Sequence, residues 1–434
     1  MLTIRLFICN NTNNTTGHTE AILHLSYSPN GKYLASGGGD TTVRFWDSYT
    51  NMPRYTGKHK NHVLCTAWSP CGHVFMSADL VGEIKVWSPH NLRECCSVRG
   101  HKGHVSSLAF EPLHLSTSDV TEHFVSSSKD CLVNIWKVHH TIMNHDSEKQ
   151  QQQQEEKVAT TTDAGKQSRK EKAATRISRK DTIKVTKIHK LTSLPHTAPV
   201  EVVKWSGEGL IYSAGRDRVI KIWSGQHGEM GKLLRSLSGH GHRINCLALN
   251  CDYVTRTGPF SFTNNIASRS KALENYQKFK EGNPNEILVS GSDDFSLFVW
   301  SGHLGKEKKR LSGHQLLINA ISFSPCGSYF ASASFDKKIK IWSASGAFLR
   351  TLTGHVGAIY CVSWSCDSRF LVSASKDSTA KVWNVSAGSK KDKKSCALET
   401  LPGHADEVYA LDWSPNGNSV ATGSKDRTIK IWKH

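Results

Sequence analysis

The chain has 434 residues, 38% of them hydrophobic, enough for one large core or two to three ordinary ones. Lys and Arg number 55 against 37 Asp and Glu, and this formal +18 points to an acidic partner, RNA being the commonest. No apolar run reaches the ~18 residues that cross a bilayer, which excludes a membrane span. The opening Met1–Cys9 carries Arg5 in its middle and no small-residue cleavage site, so it is a poor secretory signal. The 12 cysteines form no Cys-x-x-Cys pair, which fits reduced thiols better than a disulfide frame or a zinc site.

Tryptophans expose an internal repeat. Trp46, Trp87, Trp136, Trp223, Trp300, Trp342, Trp383 and Trp432 each close a β-branched or aromatic strand, at spacings of 41, 49, 87, 77, 42, 41 and 49 residues. In chain order, an apolar strand at 2–9 is followed by units at 15–57, 57–99, 100–191, 192–238, 239–312, 313–353, 354–402 and 403–434. The two wide spacings hold insertions rather than a ninth repeat. Residues 139–181 contain the run Gln150–Gln154 and a Lys/Arg/Thr/Ser mixture, a composition expected to be disordered. Residues 251–286 read as a loop plus a short helix, Ala267–Lys280.

Within each unit hydrophobicity alternates with period two, and turns such as Ser28-Pro-Asn-Gly31 and Ser324-Pro-Cys-Gly327 separate the runs. Three strands per phrase and a fourth before the next Gly-His make a four-stranded antiparallel blade. The fold class is therefore all-β, an eight-bladed β-propeller. The last unit stops at the end of its third strand, Trp432-Lys433-His434, so residues 2–9 are expected to supply its outer strand and close the ring.

At fixed offsets the repeats carry a His, a Ser or Thr, an Asp and the Trp. The sets are His18, Ser36, Asp40 and Trp46; His314, Ser332, Asp336 and Trp342; His355, Ser373, Asp377 and Trp383; and His404, Thr422, Asp426 and Trp432, with counterparts in the other units. A Ser/His/Asp set could serve nucleophilic hydrolysis, but a catalytic triad is needed once, and this one recurs beside an indole donor. The expectation is a structural hydrogen-bond network in each blade, with no catalytic, cofactor-binding or metal residues. Val81 stands where the second unit should have its Asp, which predicts a weaker network and a more mobile turn there.

Strand order places the loops entering first strands and those between second and third strands on one face, the top. Both insertions fall on the opposite face, the bottom, and are expected to project from it. The bottom is basic: Lys166–Lys180, which doubles as a possible nuclear-import signal or a solvated tail, and the loops Lys306–Arg310 and Lys390–Lys394. On the top, Lys129, Arg216, Phe335, Lys376 and Lys425 precede the turn carboxylates and point to solvent, while Arg243, Tyr360 and Tyr409 enter first strands. Cations interleaved with aromatics suit a ribonucleoprotein or protein partner.

Gly-His, the Asp turn and the terminal Trp, with Trp46-Asp47 intact, resemble WD repeats across nearly the whole chain. Narrower phrases are Thr16-Gly-His-Thr-Glu-Ala21, Phe110-Glu-Pro-Leu-His-Leu115, Trp205-Ser-Gly-Glu-Gly-Leu-Ile-Tyr-Ser213 and Gly403-His-Ala-Asp-Glu-Val-Tyr409. With Asp252-Tyr-Val-Thr-Arg-Thr-Gly258 and the Ala272-Leu-Glu-Asn-Tyr276 helix, they resemble the Notchless family from about residue 15 onward, outside 139–181. That resemblance implies a nuclear and nucleolar, non-enzymatic scaffold of large-subunit assembly, a monomer docked on the pre-60S ribosomal particle, its rRNA and its proteins. It also implies a midasin-type AAA ATPase that pulls on the scaffold through an N-terminal ubiquitin-like domain. The sequence begins just before the propeller, so midasin is not expected to engage it in the usual way; a true loss and an incomplete gene model both account for this. The alternative is an adaptor in Notch signalling or ubiquitin-ligase substrate recognition. Ligase adaptors usually show Trp-Asp-x-Arg, whereas Trp46 is followed by Asp47-Ser-Tyr49.

Overall fold

Each blade begins with an apolar strand that lies innermost. These are Ile22–Tyr27, Val63–Trp68, Val105–Phe110, Val200–Trp205, Ile244–Leu249, Ile318–Phe323, Ile359–Trp364 and Val408–Trp413. The computed structural model describes residues 5–8, 17–89, 93–118, 121–143, 182–260, 268–385 and 397–433. Within them the strands form eight four-stranded antiparallel sheets. Each inner strand packs against the next, and that of blade 8 returns to that of blade 1. The ladder slips at the same place in all eight blades, as at Ile22/His24 and Val408/Ala410, and these repeated bulges add the twist a propeller blade needs.

The ring closes as expected. Strand Arg5–Ile8 is the outer strand of blade 8 and pairs antiparallel with Ile429–Lys433, Leu6 opposite Trp432. The apolar clusters lie between blades. Ile22 and Leu25 of blade 1 share one with Ile429 and Ile431 of blade 8, and Phe45 of blade 1 meets Phe75 of blade 2 edge-on at 4.8 Å.

The turn between second and third strands follows one rule with one exception. In seven blades the residue after the Asp is not glycine yet takes a left-handed backbone, from Thr41 at φ 63° to Arg427 at φ 70°. The Asp carboxylate makes this tolerable by accepting the next backbone N–H, as Asp40 Oδ1 does from Thr42 at 3.0 Å. Blade 2 has Val81 in place of the Asp and Gly82 at the left-handed position, φ 91°, so a residue without a Cβ replaces the missing side-chain support.

Several sequence expectations need correction. In blade 3 the third strand runs to Met143 and the fourth spans Thr182–Pro195, so this long hairpin takes in 139–143 and passes the 191/192 boundary. Residues 144–181, and with them the expected disorder and the Lys166–Lys180 stretch, lie outside the described residues; so does Lys390–Lys394. Lys306–Arg310 is mostly strand rather than loop. Glu307–Leu311 is the outer strand of blade 5, with the Lys308 ammonium 4.7 Å from the Phe298 ring centre and donating to the Ser238 carbonyl at 2.7 Å. The blade 5 insertion carries two helices, α1 (Asp252–Thr257) and α2 (Arg269–Gly282), instead of one. No helix among the described residues is long and apolar enough to cross a membrane.

Candidate functional site

The predicted polar networks are present as hydrogen-bonded chains. In blade 7, Trp383 Nε1–H donates to Ser373 Oγ at 2.8 Å, Ser373 Oγ lies 2.7 Å from His355 Nε2, and His355 Nδ1 lies 2.8 Å from Asp377. The proton order consistent with an indole donor is Trp to Ser, Ser to His, His to Asp. Corresponding chains join Trp46, Ser36, His18 and Asp40; Trp342, Ser332, His314 and Asp336; and Trp432, Thr422, His404 and Asp426. Burial disfavours charge on both acid and base. For His18, His101 and His240 burial dominates the bond to Asp and lowers their pKa, leaving the imidazole neutral. For Asp40, Asp377 and Asp426 burial works against the carboxylate, but the bonds from His, Thr and backbone N–H together outweigh it and hold the acid well below its ordinary range. The hydroxyls of Ser36, Ser332, Ser373 and Thr422 are fully buried, so these chains hold the blades and present no hydroxyl to solvent.

In blade 2, His59 Nε2 meets Ser77 Oγ at 2.6 Å and Trp87 donates to the same oxygen at 2.7 Å. The carboxylate comes from Asp79 instead of the Val81 position, 3.7 Å from His59 Nδ1. Val81 in place of the Asp led to the expectation of a weaker network here; Asp79 was not singled out, and it ends the second strand, Phe75–Asp79, just before the turn that holds Val81.

On the top face only part of the expected set comes together. Phe335, Tyr360 and Tyr409 form a row across blades 6, 7 and 8, with ring centres 5.8 and 5.2 Å apart. Tyr360 Oη donates to Glu407 at 2.8 Å, which holds that carboxylate below its usual range, and Lys376 stands 3.7 Å from the same group. Lys425 pairs with Asp406 at 3.5 Å. Lys129, Arg216 and Arg243 lie on blades 3, 4 and 5 and do not join this row. Arg216 is paired with Glu201 at 2.9 Å and Arg243 with Asp293, so each of these cations carries a carboxylate partner. Leu316 and Val356, on loops entering blades 6 and 7, are exposed beside the row.

On the bottom face, the blade 5 insertion lies across the propeller axis instead of projecting. Arg256 on α1 clasps Asp412 of blade 8, and Tyr253 donates to the Pro415 carbonyl at 3.2 Å. From α2, Tyr276 stacks on His114 of blade 3 at 4.2 Å, Lys280 reaches Glu208 of blade 4 at 2.5 Å, and Asn283 donates to the Cys326 carbonyl of blade 6 at 3.0 Å. A cavity of about 800 Å³ remains between the insertion and blades 1, 7 and 8, with Lys32, Lys278, Lys433, Asn30 and Asn416 among its walls.

The WD domain, G-beta repeat family matches residues 9–47, 93–137, 188–224, 305–343, 346–384 and 395–433. The chain belongs to the WD-repeat family. The crystal structure of the computationally designed Ika8 protein superposes with a TM-score of 0.62 over 96% of this chain and 98% of its own, at 23% identity, a likeness of fold alone. Among curated proteins, Protein Notchless of Drosophila melanogaster is 38% identical over 72% of this chain, and the Notchless protein homolog of Arabidopsis thaliana 44% identical over 77%. Ribosome assembly protein 4 of Saccharomyces cerevisiae is 36% identical over 77%. Within the WD-repeat family the chain is a Notchless-type protein. It spans 56%, 61% and 58% of the length of these three relatives, respectively.

Proposed function

We propose that this chain is a non-catalytic scaffold of ribosome biogenesis, docking on the precursor of the large ribosomal subunit in the nucleolus. The observation that carries this reading is its likeness, over about three-quarters of its length, to a relative named ribosome assembly protein 4. The +18 charge is in keeping with an rRNA-containing partner, and the networks spent on blade geometry leave recognition to the rims. The Phe335–Tyr360–Tyr409 row with Lys376 and Lys425 is the proposed protein- or base-stacking contact, and Lys129, Arg216 and Arg243 extend the same face. Engagement by a midasin-type AAA ATPase belongs to the same reading.

Sedimentation of cell extract on a gradient tests it. Co-migration with precursor large subunits, lost at high salt, is expected from phosphate contacts. A free peak, or one of ligase size, would reject the scaffold in favour of an adaptor in signalling or ubiquitin transfer.

A further inference from the structure

Blade 2 departs from its neighbours in a way that leaves three polar atoms facing one another. Asp79 Oδ1 accepts the backbone N–H groups of Val81 at 3.0 Å and Glu83 at 2.8 Å, which turns Oδ2 toward His59. Glu83 occupies the position that Thr42, Thr379 and Thr428 hold in blades 1, 7 and 8. His59 Nδ1, Asp79 Oδ2 and Glu83 Oε2 are all buried without a hydrogen-bond partner. The side chains are 0%, 0% and 8% exposed. One ligand atom from each lies within 4.8 Å of the other two.

We propose that these three residues form a site for a divalent cation of the zinc class. Two carboxylates and an imidazole buried side by side are costly when their facing atoms meet nothing. The 3.7 Å between His59 Nδ1 and Asp79 Oδ2 is too long for a hydrogen bond. It is close to the roughly 3.4 Å that separates ligands bound at about 2.1 Å to one tetrahedral ion. The rest of the blade prepares the imidazole. Ser77 Oγ accepts the Trp87 indole N–H and has a second lone pair for the His59 Nε2–H, the tautomer in which Nδ1 offers its lone pair to a metal. Lys60, itself exposed, holds the other Glu83 oxygen at 3.3 Å without entering the cluster. One nitrogen and two carboxylate oxygens suit zinc; magnesium and calcium prefer oxygen alone.

The comparable trio Glu111, His123 and His227 has no such vacancy in its bonding. His123 Nδ1 lies 2.8 Å and His227 Nε2 3.3 Å from Glu111 oxygens, so the three satisfy one another. In blade 2 the ion would tie the loop entering the blade to its second turn, the task the Asp performs in the other seven. This explains how Val81 is accommodated.

The test is metal content. The full chain is produced in zinc-supplemented cells, dialysed against metal-free buffer and analysed by mass spectrometry for bound metal. One zinc ion per chain is expected, falling to background in Glu83→Thr, whose side chain the fold already accepts at that position in three blades. Glu83→Gln, which keeps the volume, is the second variant, and circular dichroism confirms that each is folded. Wild-type chain without zinc, or zinc retained in both folded variants, overturns the proposal and assigns the three atoms to water or a shared proton.

Discussion

Arg256 on α1 grips Asp412 on the inner strand of blade 8, Nη1 to Oδ1 at 3.0 Å and Nη2 to Oδ2, while the second carboxylate oxygen also accepts the Tyr27 N–H at 2.8 Å. A residue inserted into blade 5 thus reaches across the axis to the seam where blade 8 meets blade 1. The closing pair, Arg5–Ile8 with Ile429–Lys433, belongs to the same blade 8, so the insertion adds a side-chain tie between the first and last blades of the ring. A bidentate guanidinium–carboxylate pair fixes both distance and orientation.

Removing either partner should therefore loosen the seam. Arg256→Met and Asp412→Asn are each expected to lower stability by about 1–3 kcal/mol, with Arg256 half-exposed to the axis and so below the fully buried limit. A double-mutant cycle in urea should return a coupling of about 1 kcal/mol or more. Additive effects would show that the pair does not bear on closure.

Ser373 is the hub of the blade 7 network. Ser373→Ala leaves Trp383 Nε1–H and His355 Nε2 without their shared partner in a buried site, at an expected cost of about 2–3 kcal/mol. The urea midpoint should fall with the m-value unchanged. A change within about 0.5 kcal/mol would mean that the chain does not hold the blade.

Gly82 is predicted to resist replacement where its counterparts tolerate side chains. A Cβ there would run into the His101 carbonyl oxygen, and the left-handed backbone adds about 1–2 kcal/mol. Gly82→Ala should lower the melting temperature clearly, whereas Ser378→Gly at the matching turn of blade 7 should be neutral or slightly stabilising.

Acid should destabilise the fold in two stages. Burial pushes His24, beside the clamp, down to about 4, and lowers His18, His101 and His240 as well. A base with a depressed folded pKa keeps its full contribution above its unfolded value, near 6.5, and loses it as pH falls toward the folded value. His24 alone accounts for about 1–3 kcal/mol of this. The depressed Asp40, Asp377 and Asp426 add a second loss below about pH 4. Urea midpoints measured from pH 8 to 4.5 should be level above about 7 and fall below 6.5; a level profile down to pH 5 contradicts the assignment.

A chain starting at Thr15 lacks the strand Arg5–Ile8 and leaves Ile429–Lys433 as an open edge. Its melting temperature should drop by more than any single surface substitution causes, and aggregation should increase. A melt matching that of the full chain would show the strand to be dispensable.

How much of this was legible varies by feature, and the reasons are physical. The blades were readable because Trp46, Trp342, Trp383 and Trp432 recur with partners at fixed offsets, and a period-two strand ties offset to face. The eight-fold count and the closing strand followed from the same arithmetic. Asp79 escaped because the pattern was searched at one offset, whereas the carboxylate of blade 2 comes from the end of the second strand, ahead of the turn. The partners of Arg216 and Arg243 escaped because Glu201 and Asp293 stand at the adjoining end of the neighbouring strand, and the pairing follows from strand register rather than from a fixed offset in the repeat.

The sequence alone determined what repeats: strand order, turn chemistry, the His–Ser–Asp–Trp chains and the need for an outer strand in blade 8. Each is decided within some forty residues, where backbone geometry converts spacing directly into position. Only the tertiary structure decided that Arg256 meets Asp412, 156 positions away, that α2 spans blades 3, 4 and 6, and that Phe335, Tyr360 and Tyr409 share one row. Those contacts depend on the ring having closed, which brings distant segments to a common face.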